Sequence, residues 1–218
     1  MSSNNPTGAD NQQGSRQRRP NGDCLTPQRL HAELLATGAK GLEAYLQGAL
    51  RDGTRSALHS THRFGQSDPR WLDLLAECLE LLGARNWSYR EGSARNYWVL
   101  ETTAPFLDID FDARPLVGTP EGIAYVRGYF DAEGGMPRAR NARLYLQFTQ
   151  KSYPSSEVLA EILESWDIEC GRIHNPSTAV DPNDWRFYVR ARSQERFMTL
   201  VSSWHPRKRR QIATRMVR

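Results

Sequence analysis

The sequence predicts an α+β chain built as two copies of one unit, and three observations carry that expectation. The stretch 123–135, IAYVRGYFDAEGG, recurs in worn form at 43–54, EAYLQGALRDGT. Each copy is followed by a strand pattern ending in Phe-x-Gln, at Phe64-Gly65-Gln66 and Phe148-Thr149-Gln150. Each then runs into an amphipathic helix pattern and a further pair of strand patterns. Gly128 follows Gly48 by 80 positions and Gln150 follows Gln66 by 84, so the first half has the shorter first strand pair.

In chain order, residues 1–27 read as a disordered tail, because Asn, Gln, Ser, Gly, Pro and Arg dominate it and too little apolar surface is present to offset ordering. Thr26-Pro27 starts a helix to Ala36, and Gly38–Gly41 breaks it. The first half, 28–117, then holds a motif helix Leu42–Asp52, strands within Arg55–Gln66, a helix Pro69–Leu82 with leucines at 72, 75, 79 and 82, and a hairpin from Asn86 to Thr102. Proline and Gly-Thr-Pro breaks make Phe106–Pro120 a linker. The second half, 118–218, holds a motif helix Gly122–Ala132, strands within Met136–Gln150, a helix Ser155–Trp166, strands around Arg172–His174 and Trp185–Arg192, and a last helix from Gln194. The two amphipathic helices are sheet-backing core.

The chemistry sits at the ends of the motif helices. Ala44/Gly48 and Ala124/Gly128 place small residues four apart on one face, which lets another backbone come close. Each helix ends in an acid followed by glycine, Asp52-Gly53 and Glu133-Gly134, and glycine there suits the left-handed position that stops a helix. An acid at a helix C-terminus faces the negative end of the dipole. If the two helices pack through their small faces, the acids meet and raise each other's pKa. Oxygen ligands alone favour Mg²⁺ or Ca²⁺ over zinc.

VRGYFDAEGG resembles the LAGLIDADG signature of the homing endonucleases, and LQGALRDG looks like its degenerate partner. The resemblance runs from about Leu42 to Gln211. It implies two pseudo-twofold-related αββαββα halves packed through the motif helices, with antiparallel, saddle-shaped sheets facing DNA. It further implies that Asp52 and Glu133 hold the catalytic metal, taken as Mg²⁺, that Gln66 and Gln150 position solvent, and that Lys208 in His205–Gln211 offsets charge on the phosphate. The chain departs from the pattern in four places. Arg51 replaces the usual sixth-position acid, Asp52 sits one residue early, and no lysine in the first half matches Lys208, Arg114 being a weak substitute. Glu133 replaces the commoner Asp.

Two strand patterns alternate. Arg143, Tyr145, Gln147 and Thr149 share one face against Leu144, Leu146 and Phe148. Arg186, Tyr188, Arg190 and Arg192 share another against Phe187, Val189 and Ala191. A half-solvated sheet alternates too, but this face is nearly all Arg, Tyr and Gln, which suit bases and phosphates. Net charge is +4, and Trp204–Arg218 carries six Lys/Arg with no acid.

The expected activity is therefore site-specific double-strand DNA cleavage by a monomer, with one acid per half giving one nick per strand. The alternative on the same fold is a DNA- or intron-RNA-binding protein, a maturase or regulator that has lost cleavage. A basic protein-interaction module is a third reading. Three scattered cysteines argue against a disulfide framework and fit a reducing compartment, the cytoplasm or an organellar matrix. CxxC, HExxH, GxSxG and a phosphate loop do not occur, and no apolar run approaches a membrane span.

Overall fold

A computed structural model describes residues 26–92, 95–139 and 141–216. The expected disordered tail falls on residues 1–25, outside the described residues, whereas Pro27 opens helix α1 (Pro27–Ala49). Thr26 caps α1 by accepting a hydrogen bond from the Arg29 amide, with proline at the first position. The expected break between two helices is a kink at Gly38 (φ 70°, ψ 169°), a conformation restricted to glycine. A 3₁₀ turn, Leu50–Asp52, closes the helix.

The first half continues with β1 (Thr54–Arg55), β2 (His62–Gln66), α2 (Arg70–Leu81), β3 (Asn86–Arg90) and β4 (Trp98–Thr102). These strands form an antiparallel sheet in the order β1-β2-β4-β3, with Phe64 opposite Leu100 and Gln66 opposite Trp98. Phe64 and Leu100 are buried with Leu72, Leu75 and Leu79 of α2.

The second half repeats the plan. α3 (Pro120–Glu133) is capped by Thr119, which accepts from Gly122, and α4 (Tyr153–Glu164) by Ser152, which accepts from Ser155. β5 (Gln147–Gln150) and β6 (Trp185–Tyr188) pair antiparallel. Bridges Gly135–Gln147 and His174–Arg186 extend this pair on both sides, giving the same strand order as the first half. The strands expected around Met136 and Arg172–His174 are thus reduced to isolated bridges, one at Gly135 and two at Cys170 and His174. Phe148 and Phe187 stack at 5.0 Å beneath the sheet, and Phe197 of α5 (Gln194–Leu200) meets Phe148 edge-on. α6 (Pro206–Met216) is the last element among the described residues. The strand expected to run to Arg192 stops at Tyr188, because Ala191–Ser193 turns as a 3₁₀ helix leading into α5.

The halves meet along α1 and α3. A Cβ on Gly48 would lie 2.0 Å from the Tyr125 carbonyl oxygen, and one on Gly128 would lie 1.9 Å from the Tyr45 carbonyl oxygen. Tyr45 and Tyr125 are themselves equivalent in the two copies, so the contact is reciprocal about a pseudo-twofold axis. This is the α+β, two-half architecture with antiparallel sheets that the sequence predicts.

Candidate active site

The seam brings the C-terminal ends of the two motif helices side by side. Tyr129 in this seam is buried, and its hydroxyl donates to the Thr149 carbonyl at 2.8 Å, tying α3 to β5. Asp52 and Glu133 project from the helix ends and keep solvent access. Neighbouring protein still desolvates both carboxyls and raises both pKa values. The Asp52 charge raises Glu133 further, and Lys208 partly offsets the rise on each. Glu133 therefore lies within the field of Asp52.

Asp52 reaches this position despite its early register. An α-helix turns about 100° per residue and a 3₁₀ helix about 120°, so the three-residue turn regains roughly 60° of the roughly 100° deficit. The expected left-handed glycines are corrected by the structure: Gly53 has φ −91° and Gly134 φ −64°. They serve space instead. A Cβ on Gly53 would lie 2.9 Å from the Arg63 carbonyl oxygen, and one on Gly134 would lie 2.5 Å from that of Phe130.

Lys208 is buried beneath the acids, 2% exposed. Its Nζ donates to the Phe130 carbonyl and, at 3.0 Å, to the Asp131 carbonyl, capping the negative end of α3. Burial pulls its pKa down to about 8, against the opposing pull of Asp131 and, more weakly, of Glu133 and Asp52. Gln66 donates to Asp52 Oδ2 at 3.4 Å. Gln150 turns its Oε1 to the Lys151 amide at 2.7 Å instead of to an acid. Arg114, the weak first-half substitute for Lys208, lies on the surface beside Asp112.

Sequence reasoning missed what holds Lys208. The fully buried Asp131 accepts from Tyr45 Oη at 2.8 Å, from the Trp204 and His205 amides at 2.9 and 3.0 Å, and from Ser203 Oγ. Burial raises its pKa, and Lys208 and these donors pull back. Half-buried Arg127 spans the Leu200 and Val201 carbonyls and stands 4.6 Å over the Trp204 ring. Glu33 of α1 forms two 2.7 Å bonds with Arg209, next to Lys208 in sequence. One signal was available: Asp131 is the sixth residue of the second motif copy.

On the open face of the second sheet, Gln147, Thr149, Arg186 and Tyr188 share one side through the pairs Gln147–Tyr188 and Thr149–Arg186. Arg143 and Tyr145 are exposed just before β5, and Tyr145 meets Tyr188 edge-on at 6.3 Å. Arg186 is tied to Asp184 at 2.6 Å. Arg190 donates to the Cys170 carbonyl and Arg192 pairs with Glu169, both beyond the end of the strand, so Arg192 does not share the strand's alternation.

Among the described residues no cluster of three His, Cys, Asp or Glu forms a metal cage. Two partly solvated carboxylates fit a hard divalent cation that keeps waters and takes substrate oxygens as its remaining ligands.

This fold and this pair of helix-end acids define a LAGLIDADG-fold protein. The chain superposes on solved structures of the homing endonuclease I-DmoI, one set of mesophilic variants giving a TM-score of 0.58 at 18% identity over 77% of this chain and 92% of that one. The N-terminal LAGLIDADG domain of DUF199/WhiA gives 0.57 at 16% identity over 79% and 88%. Full-length DUF199/WhiA from Thermatoga maritima gives 0.57 at 15% identity over 86% of this chain and 66% of that one. These identities establish the fold alone. No family model matches the sequence, and no curated protein is significantly similar to it. No helix among the described residues is long and apolar enough to cross a membrane.

Proposed function

We propose that the protein is a site-specific DNA endonuclease that requires a divalent cation. The observation that carries this reading is the meeting of Asp52 and Glu133 at the end of the glycine seam, above one buried lysine. I-DmoI, on the same fold, has been solved with DNA and Mn, which supports a nucleic-acid substrate and a divalent ion. Asp52 and Glu133 would hold the cation, Mg²⁺ by preference, which supplies activation of water and neutralisation of charge at the phosphate.

The chain's own residues do the rest. The seam sets the separation of the two acids, and the open face of the second sheet offers Arg143, Tyr145, Gln147, Thr149, Arg186 and Tyr188 to the duplex. Gln66, within bonding reach of Asp52, orients the first carboxylate and neighbouring solvent. Lys208 adds a fixed positive charge from below. One acid per half accounts for cleavage of both strands by a single chain.

Incubating the purified protein and Mg²⁺ with a plasmid library carrying candidate sites tests this. Linearised plasmid at a defined sequence is the expected result, abolished by Glu133→Gln. Protection of a site without cutting by the wild type would overturn the enzyme reading in favour of a binding protein on this fold.

A further inference from the structure

A second concave site lies outside the seam, at the outer edge of the second sheet. Tyr153 opens α4, and Trp185 opens β6 on the helix-facing side of that strand. Their rings meet edge-on at 4.8 Å, and Tyr153 stays 38% exposed. With Arg172, His174, Asn175 and Thr178 they line a cleft of about 480 Å³. His174 pairs through its backbone with Arg186 and stacks on Tyr188 at 6.2 Å and 19°. The cleft therefore joins the sheet's open face at its rim. Arg172 is exposed and makes no ion pair among the described residues, unlike Arg186 and Arg192 nearby.

We infer that this cleft binds a single unstacked nucleobase of a nucleic-acid strand, with Arg172 on the adjoining phosphate. The chemistry selects this ligand. Stacked bases in a duplex hide their faces and show only edges in the grooves, so a pocket walled by rings cannot read them. An unpaired base presents a face that stacks on an aromatic ring whatever its sequence. Arg172 supplies the positive charge such a strand needs, and the exposed His174 and Thr178 offer polar groups at the base's edge. Asn175 is already engaged with Ser177 and Asp181 and serves to shape the loop.

The site is separate from the helix-end acids, so its test does not need cleavage. Full-length Glu133→Gln protein is titrated by fluorescence anisotropy with labelled eight-nucleotide oligothymidine, oligouridine, an abasic strand of equal length and a blunt duplex. Either pyrimidine strand should bind clearly better than the abasic one, and the tighter of the two names the source as DNA or RNA. Tyr153→Leu and Arg172→Ala, each checked by melting, should weaken single-strand binding about tenfold while leaving duplex binding within about twofold. Equal binding of abasic and base-bearing strands overturns the inference. So does an equal loss for duplex and single strand, or unchanged single-strand affinity in both variants.

Discussion

Arg51 and Asp131 occupy the same place in the two motif helices and grip opposite ends of the peptide group. Asp131 accepts from the Trp204 and His205 amides, whereas Arg51 donates to the Phe111 carbonyl at 2.5 Å and, more weakly, to that of Ile109. Each also meets the tyrosine of the opposite helix: Tyr45 donates to Asp131, and Arg51 donates to Tyr125 Oη at 3.0 Å. In both cases the segment that follows a half's sheet is pinned to that half's own motif helix. The loss of the sixth-position acid in the first copy is therefore a change of grip.

Removing either grip should destabilise the fold. Asp131→Ala strands Lys208 as a buried cation and leaves several donors unpaired, so unfolding by urea should show a loss of about 3–5 kcal/mol. Arg51→Asp, which restores an acid, should cost about 1–3 kcal/mol because it would face carbonyls. A neutral result for Arg51→Asp would show that the linker contacts contribute nothing.

Gly48→Ala and Gly128→Ala should be about equally damaging, since their added methyls would meet carbonyl oxygens at 2.0 and 1.9 Å. Backbone cannot move aside as a side chain can, so a loss of about 3 kcal/mol or more is expected in each. Melting curves that match wild type would refute the seam.

The helix-end acids are costly to the fold. Glu133 has a raised pKa, so its charged form is disfavoured in the folded state. That penalty is present above the unfolded pKa and is relieved as pH falls through the folded one. Glu133→Gln should accordingly melt slightly higher at pH 7, by at most about 1 kcal/mol at this solvated site, while cleavage is lost. Millimolar Mg²⁺ should raise the melting temperature of wild type but not of this variant.

Asp52→Asn separates a double-strand nuclease from a nickase. With Glu133 in the field of Asp52, which Gln66 touches, the variant should leave one strand intact, scored as nicked circles on an agarose gel. Normal linearisation would mean that the first half only holds DNA.

Lys208 sets an upper pH edge. Its folded pKa of about 8 lies below the ordinary lysine value, so between the two the unfolded chain binds more protons. Its contribution to stability therefore rises with pH over that window, while its charge at the site is lost. Wild type minus Lys208→Met should show that rise in denaturation, and wild-type cleavage should decline above about pH 8.

Much of this was legible because the chain repeats itself. Two copies of a small-residue face with a terminal acid predict the seam, and Phe-x-Gln predicts the strands beside it. The glycines after the acids were read for the wrong reason, since only the neighbours at Arg63 and Phe130 reveal that room and not a left-handed turn is needed. The arginine stripe of β6 was overextended because alternation alone does not register the turn at Ala191–Ser193. The grip of Asp131, Arg127 and Glu33 on the end of the chain spans more than seventy residues, and no local pattern encodes it.

The reciprocal contact of Gly48 and Gly128 has a consequence for how this protein can change. Side chains in a core can be exchanged and repacked, but a spacing set by one main chain touching another has no adjustable part. Sheets and loops on either flank are free to diverge, as the short first strand pair and the bridge-reduced second sheet already have. The gap between the two acids is not. It is a ruler cut into the backbone, and every other change in the fold has to be made around a length that stays constant.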